Sequence, residues 1–272
     1  MEAFVGIDVA FAKGKALPLC VCTWESARLT PFPIHQADLP DIPRGEGNRR
    51  SIDPVVVAAF AIKVVEYLRA VEKHCGLEIR RIAIDAPSAP KVDGLLRRLA
   101  EEALDCERIS CFTTPSVAEF ANKRRQVEKH LESGGAENRI PSANQLWMLV
   151  GFELFRCLEK DWECLEVYPQ ATMKALGAAS IHKSKSDGVR QQLRAVAQYT
   201  GWPEPFTDRY PSAIRELIRA PIHDAVDAYT CAWIASLGPE NRIPLGSPPN
   251  DVIWVPKTSQ FPNKFLNVVE ES

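Results

Sequence analysis

From its first residues the chain gathers apolar positions into short runs. Residues 3–10 form one such run around Asp8, and two more follow near 16–23 and 28–35, parted by a small polar stretch at Ser26. Lys13, Gly14 and Lys15 supply the first turn. Three β-like runs with short links predict an antiparallel meander. Residues 36–52 are rich in proline, glycine and charge and predict a surface loop.

The period then changes. Asp53-Pro54 reads as a cap followed by a first-turn proline. Val57, Phe60, Ala61, Val64, Val65 and Leu68 recur at helical spacing towards Cys75, with Gly76 as the stop. From Ile79 to Ala86 the chain reads as a short strand whose consecutive Ile82, Ala83 and Ile84 fit burial on both faces. It ends in Asp85-Ala86-Pro87.

Helical patterns cover about 91–105 and 116–132, with a short strand expected between them at Ile109 to Phe112. Gly134-Gly135 opens a loop, and a long helix follows at about 142–160. Leu165 to Tyr168 reads as a strand carrying Glu166 and stopped by Pro169. Helices are expected at about 170–176 and 187–200, and again at 212–219 and 221–237 beyond the irregular, proline-rich 203–212. Residues 251–256 read as a last extended segment. This order predicts an α/β fold with a mixed sheet, a meander joined to parallel strands. In such sheets, sites form outside the carboxyl ends of the strands.

Composition narrows the class. The 272 residues are 46% hydrophobic and 25% charged with a net charge of -2, which is ordinary for a globular protein. No run approaches the roughly 18 apolar residues of a membrane span, and the acidic N-terminus does not read as a secretory signal. Near-neutral charge argues against nonspecific coating of nucleic acid but leaves room for a local basic groove. The eight cysteines include no Cys-x-x-Cys pair, so they read as buried, reduced thiols of a cytoplasmic protein rather than a zinc site.

Chemistry enters with Asp224 and Asp227. Three residues apart, they share one face of a helix, heading a stripe that continues through Cys231 to Ile234 and Ala235. Burying two carboxylates together calls for a partner, and a divalent cation suits them. Helix-start electrostatics is the competing explanation: Pro221 fits the first helical position, and acids are favoured in a first turn. Asp8, Asp85 and Glu166 occupy a comparable setting, each inside apolar sequence near a strand end. Asp is also common in strand-end turns, and a strand glutamate can face solvent on an edge. If the three strands are parallel neighbours, their ends converge. Oxygen ligands without histidine or thiolate clustering suit magnesium or manganese.

Five segments together resemble a known family. They are Gly6-Ile-Asp-Val-Ala, Ile82-Ala-Ile-Asp-Ala-Pro, Leu165-Glu-Val-Tyr-Pro-Gln-Ala, Lys183 to Arg190, and His223-Asp-Ala-Val-Asp-Ala. In this order they resemble the domain-of-unknown-function family 429, regarded as predicted nucleases of ribonuclease-H-like fold. The likeness extends from residue 4 to about 256, where Val-Ile-Trp-Val-Pro resembles the closing segment. The Asp224/Asp227 segment also resembles the last helix of Holliday-junction resolvases.

The resemblance implies one ribonuclease-H-like domain over 1–260, a five-stranded mixed sheet with a helical insertion at about 115–162, and a tail at 261–272. It implies Asp8, Asp85, Asp224 and Asp227 as metal ligands, with Glu166 as a further catalytic candidate. The implied reaction is phosphodiester hydrolysis assisted by Mg or Mn, with nucleic acid as substrate. Lys15, Lys183, Lys185 and Arg190 are candidates for phosphate binding, although the last three also fit a solvated helix start. The basic cluster Lys123, Arg124 and Arg125 reads first as a solvated helix face.

Two other readings remain at this point. Sugar and acetate kinases and related ATPases share the fold and the Gly-Ile-Asp strand end, with Lys13 or Lys15 as the nearby lysine, but need a second glycine-rich phosphate loop that the sequence does not offer. A non-catalytic binding module with a relic site is the other, and retention of every acidic position argues against it.

Overall fold

A computed structural model describes residues 1–34, 38–178, 186–204, 214–215, 218 and 220–258. Its centre is a five-stranded sheet in the order β3-β2-β1-β4-β5. The strands are β1 (Glu2–Asp8), β2 (Leu19–Glu25), β3 (Arg28–Pro31), β4 (Glu78–Asp85) and β5 (Glu163–Glu166). The first three form the expected meander: β1 pairs antiparallel with β2, and β2 with β3. The β2–β3 link is a two-residue turn, Ser26-Ala27, with φ of 48° and 62°. Positive φ at both positions matches the right-handed twist of the flanking strands. Strand β3 is shorter than expected, because Pro31 and then Pro33 deprive it of ladder donors. β4 and β5 join in parallel.

Helices cover both faces. Helix α1 (Pro54–Cys75) is capped by the Asp53 carboxylate, which accepts from the Val55 and Val56 N–H groups at 3.0 and 3.4 Å. It ends at Gly76, whose φ of 63° fits the left-handed closing position. With α4 (Ala143–Leu158) it buries Val5, Ile7, Ile82 and Ile84 on one face of the sheet. The other face, including Cys20, Cys22, Ala83 and Leu165, is buried by α6 (Ser186–Thr200) and α7 (Ile222–Ser236). Between β4 and β5 the chain also forms α2 (Leu99–Cys106) and α3 (Val117–Glu132), and α5 (Pro169–Ala175) follows β5.

Three local expectations are corrected. Residues 91–98 are not helical; Gly94, with φ of 90°, makes a turn, and the helix begins at Leu99 after an extended Arg98. Residues 109–112 form no strand. The chain also makes a strand at Arg242–Ser247, β6, which pairs antiparallel with β7 (Asp251–Pro256) as a separate two-stranded sheet. A satellite core between α2, α5 and this hairpin holds Leu104, Ala171, Leu245 and Val255. Among the described residues no helix is long and apolar enough to cross a membrane.

Helix α7 is the element that builds the site. Every residue from Asp224 to Ala235 is buried, and the helix packs chiefly on β1, β4 and β2. Gly6 permits that approach: a Cβ there would stand 1.9 Å from the Ala228 carbonyl oxygen and 2.3 Å from the Ala232 nitrogen. The Tyr229 hydroxyl donates to the Leu29 carbonyl at 2.8 Å, tying the helix to β3. At its other end, Arg81 donates to the Ala235 and Leu237 carbonyls at 2.7 and 3.0 Å. The Arg81 end of β4 thus holds the C-terminus of α7, so the helix runs antiparallel to β1 and β4.

Candidate functional site

Asp8 and Asp85 end neighbouring parallel strands and are partners in register. Side chains two apart along a strand share a face. Gly6 and Ala83 face α7, so Asp8 and Asp85 do too. Both are partly buried. Parallel strands lie about 4.8 Å apart, which sets the two carboxylates side by side.

The pair on α7 reaches the same corner. From Gly6 to Asp8 is two residues, about 6.6 Å of strand. From Ala228 back to Asp224 is four residues, about 6 Å of helix. Because the helix runs antiparallel, these displacements agree in direction. Asp224 and Asp227 are 6% and 2% exposed, on the stripe that continues through Ala228 and Cys231 against Gly6. One corner therefore carries four acidic residues from three elements.

A cation of the chain itself stands there. Lys15, in the loop after β1, places Nζ 2.7 Å from Oδ2 of Asp224. That oxygen is buried and has no hydrogen bond of good geometry, so its contact with Lys15 is ionic. The other oxygen, Oδ1, lies 3.1 Å from His223 Nε2. The Lys15 loop is held by a bond from the Asp8 N–H to the Pro18 carbonyl at 3.1 Å and by two bonds between Gly14, Lys15 and Gly45 of 2.8 and 2.9 Å.

Among the described residues, no three His, Cys, Asp or Glu side chains converge on one point as ligands. Carboxylate oxygens are the donor type a hard divalent ion takes, and the buried Asp224 oxygen here meets an ammonium.

Glu166 has a different setting. It pairs in register with Ile84, whose side chain faces α1, so the pleat turns it away from the face of Asp8 and Asp85. It is 5% exposed. Arg98 holds both its oxygens, Nη1 to Oε1 at 2.8 Å and Nη2 to Oε2 at 2.7 Å, and the Ser88 N–H donates to Oε2 at 2.7 Å. Burial pushes the Glu166 carboxyl above its ordinary range, while Arg98 and Ser88 pull against that. Burial also works against the Arg98 charge, but Glu166, Asp251 and Glu101 outweigh it and hold the guanidinium above its usual range. Asp251 meets Arg98 Nε at 3.0 Å and caps α2 from β7, accepting from the Leu99 and Ala100 N–H groups at 2.6 and 3.3 Å.

Sequence reading did not find Arg98 or Asp251. Arg98 fell inside an expected helix, 68 residues from its partner Glu166, and no local spacing links the two.

Of the expected phosphate-binding cations, Lys15 is at the acidic corner. Arg190 is exposed on α6, and Lys183 and Lys185 lie outside the described residues. Of the basic cluster on α3, Lys123 donates to the Ser142 hydroxyl at 3.2 Å and Arg125 bonds Asn122.

A mixed five-stranded sheet, three strands antiparallel and two joined in parallel, with helices on both faces, is an arrangement consistent with a ribonuclease-H-like fold. The family described as Protein of unknown function (DUF429) matches residues 6–250, and the chain belongs to it. Neither a curated protein nor a solved structure matches the chain.

Proposed function

We propose that this protein is a divalent-metal-dependent phosphodiester hydrolase of the ribonuclease-H-like superfamily, a nuclease whose metal is magnesium or manganese. The observation that carries the reading is the register of Asp8 with Asp85 on the sheet face beneath the Asp224/Asp227 end of α7. Asp8, Asp85, Asp224 and Asp227 would hold the ion. When bound, it would activate water and stabilise the leaving oxygen of the phosphodiester.

The chain's own residues divide the remaining work. Gly6 sets the depth at which α7 sits and so the height of its two aspartates over the strand ends. Lys15 neutralises Asp224 while no ion is bound. With Asp224 engaged by an ion, Lys15 would be free to meet a phosphate oxygen at the same corner. Glu166 serves as support: locked to Arg98 and the Ser88 N–H, it fixes the backbone just after Asp85.

Calorimetric titration of magnesium and manganese into the wild type and the Asp8→Asn/Asp227→Asn variant tests the site. It is paired with cleavage assays on single-stranded, duplex, hybrid and branched nucleic acids. The expected result is metal binding that the double variant loses, together with cleavage of at least one substrate. Equal metal affinity in both proteins overturns the ligand assignment. Metal binding without cleavage of any nucleic acid overturns the nuclease reading in favour of another phosphate ester or a binding module.

A further inference from the structure

Beside Asp85, at the carboxyl ends of β4 and β5, a cleft of about 70 Å³ opens between α2, α4 and β7. It is far smaller than a site that encloses a whole ligand, so at most one flat group of a larger ligand can enter it. Its walls are apolar and aromatic: Leu104, Phe112, Trp147 and Ile253. Phe112 is 56% exposed, and so large an apolar ring held open to solvent offers a platform for stacking.

The charge of the cleft selects against an anion. Among the described residues, Asp85, Glu101 and Glu166 border it, against the one cation Arg98. Arg98 is itself consumed by Glu166 and Asp251. A phosphate or carboxylate would meet net negative charge and no unspent donor cation. A neutral, flat ring meets the aromatic faces of Phe112 and Trp147 instead.

The cleft also adjoins the acidic corner through Asp85. A phosphodiester held at that corner therefore brings its own base to the cleft mouth. Inside a duplex the base is stacked and paired and cannot enter, whereas a single strand offers it freely.

We propose that this cleft receives one unstacked nucleobase of the substrate, so that the protein acts on single-stranded or locally opened nucleic acid. The proposal rests on the nuclease reading above, and its test is chosen to fail separately. Emission of Trp147 is followed, in EDTA, while uridine or adenosine monophosphate is added, with ribose 5-phosphate as the base-free control. A Trp147→Phe variant identifies the signal among the six tryptophans. The expected result is saturable quenching by the nucleotides and none by ribose 5-phosphate. Phe112→Ala, an exposed position whose loss leaves the core intact, weakens nucleotide binding roughly tenfold.

Equal responses to nucleotide and ribose 5-phosphate overturn the base slot, as does an unchanged affinity in Phe112→Ala. If no nucleotide binds while magnesium binding is intact, the slot fails and the metal reading stands. Nucleotide binding that survives alongside a failed metal titration supports the slot and sinks the metal centre.

Discussion

Removing the Arg98 guanidinium is the sharpest test of how the strand ends beside the acidic corner are held. Arg98 and Glu166 have side chains 4% and 5% exposed and share two hydrogen bonds of 2.8 and 2.7 Å. Arg98→Met leaves an apolar chain of similar length and a buried carboxylate whose remaining partner is the Ser88 N–H. Breaking a buried pair from one side costs about 3–5 kcal/mol. With a urea m-value of about 3 kcal/mol per molar, the midpoint falls by roughly 1–1.7 M.

The pH dependence follows from the raised Glu166 carboxyl. The folded chain keeps that proton in a window where the unfolded chain has lost it, so this group's contribution falls as pH rises through the window. Without Arg98 the window extends upward. The deficit of the variant against the wild type is therefore largest at neutral pH and narrows as pH drops towards the ordinary glutamate range. Urea melts at pH 7.5 and 5 measure it, and Arg98→Met/Glu166→Met recovers much of the loss by removing the stranded charge. A deficit that ignores pH, or a double variant no better than the single one, refutes the reasoning.

Two further substitutions probe α7 and its cation. Gly6→Ala puts a methyl group 1.9 Å from a backbone oxygen of α7, so stability falls by about 3 kcal/mol and the melting temperature by roughly 6–12 °C; a change within 2 °C would show that the helix can yield. Lys15→Met removes the ammonium from Asp224. In EDTA its melting temperature falls by roughly 2–4 °C, and added magnesium raises it by more than it raises the wild type's. A smaller magnesium shift in the variant would mean that Lys15 does not compete with the ion.

How much of this was legible depended on the range of each interaction. β1, β4 and α1 could be read because alternation, apolar runs and a capped helix start are local. Asp8 and Asp85 could be singled out because each breaks an apolar run at its end. That they are partners in register was not readable, since it depends on the pairing of strands 70 residues apart. β6 was hidden by Pro244 and Gly246, residues that weaken a strand signal. It forms because β7 pairs with it across a six-residue register and the pair covers α2 and α5. Residues 91–98 keep helix-compatible apolar positions, but Asp93-Gly94 turns the chain and leaves Arg98 extended, aimed at Glu166.

Glu166 shows why an acidic residue in apolar sequence carries two meanings. By sequence it stands level with Asp8 and Asp85, one acid per strand. Strand parity separates them: Asp8 and Asp85 share a face with Gly6 and Ala83, and Glu166 shares the opposite one with Ile84. The first two meet the helix that brings more acid, and the third meets an arginine. On the α7 face the buried Asp224 carboxylate is answered by the ammonium of Lys15. Where a carboxylate is answered by two guanidinium bonds and a backbone N–H, it is spent on structure. At the same sheet end Asp8 and Asp85 face α7 while Glu166 is closed by an arginine, and the cleft borders both Asp85 and Glu166.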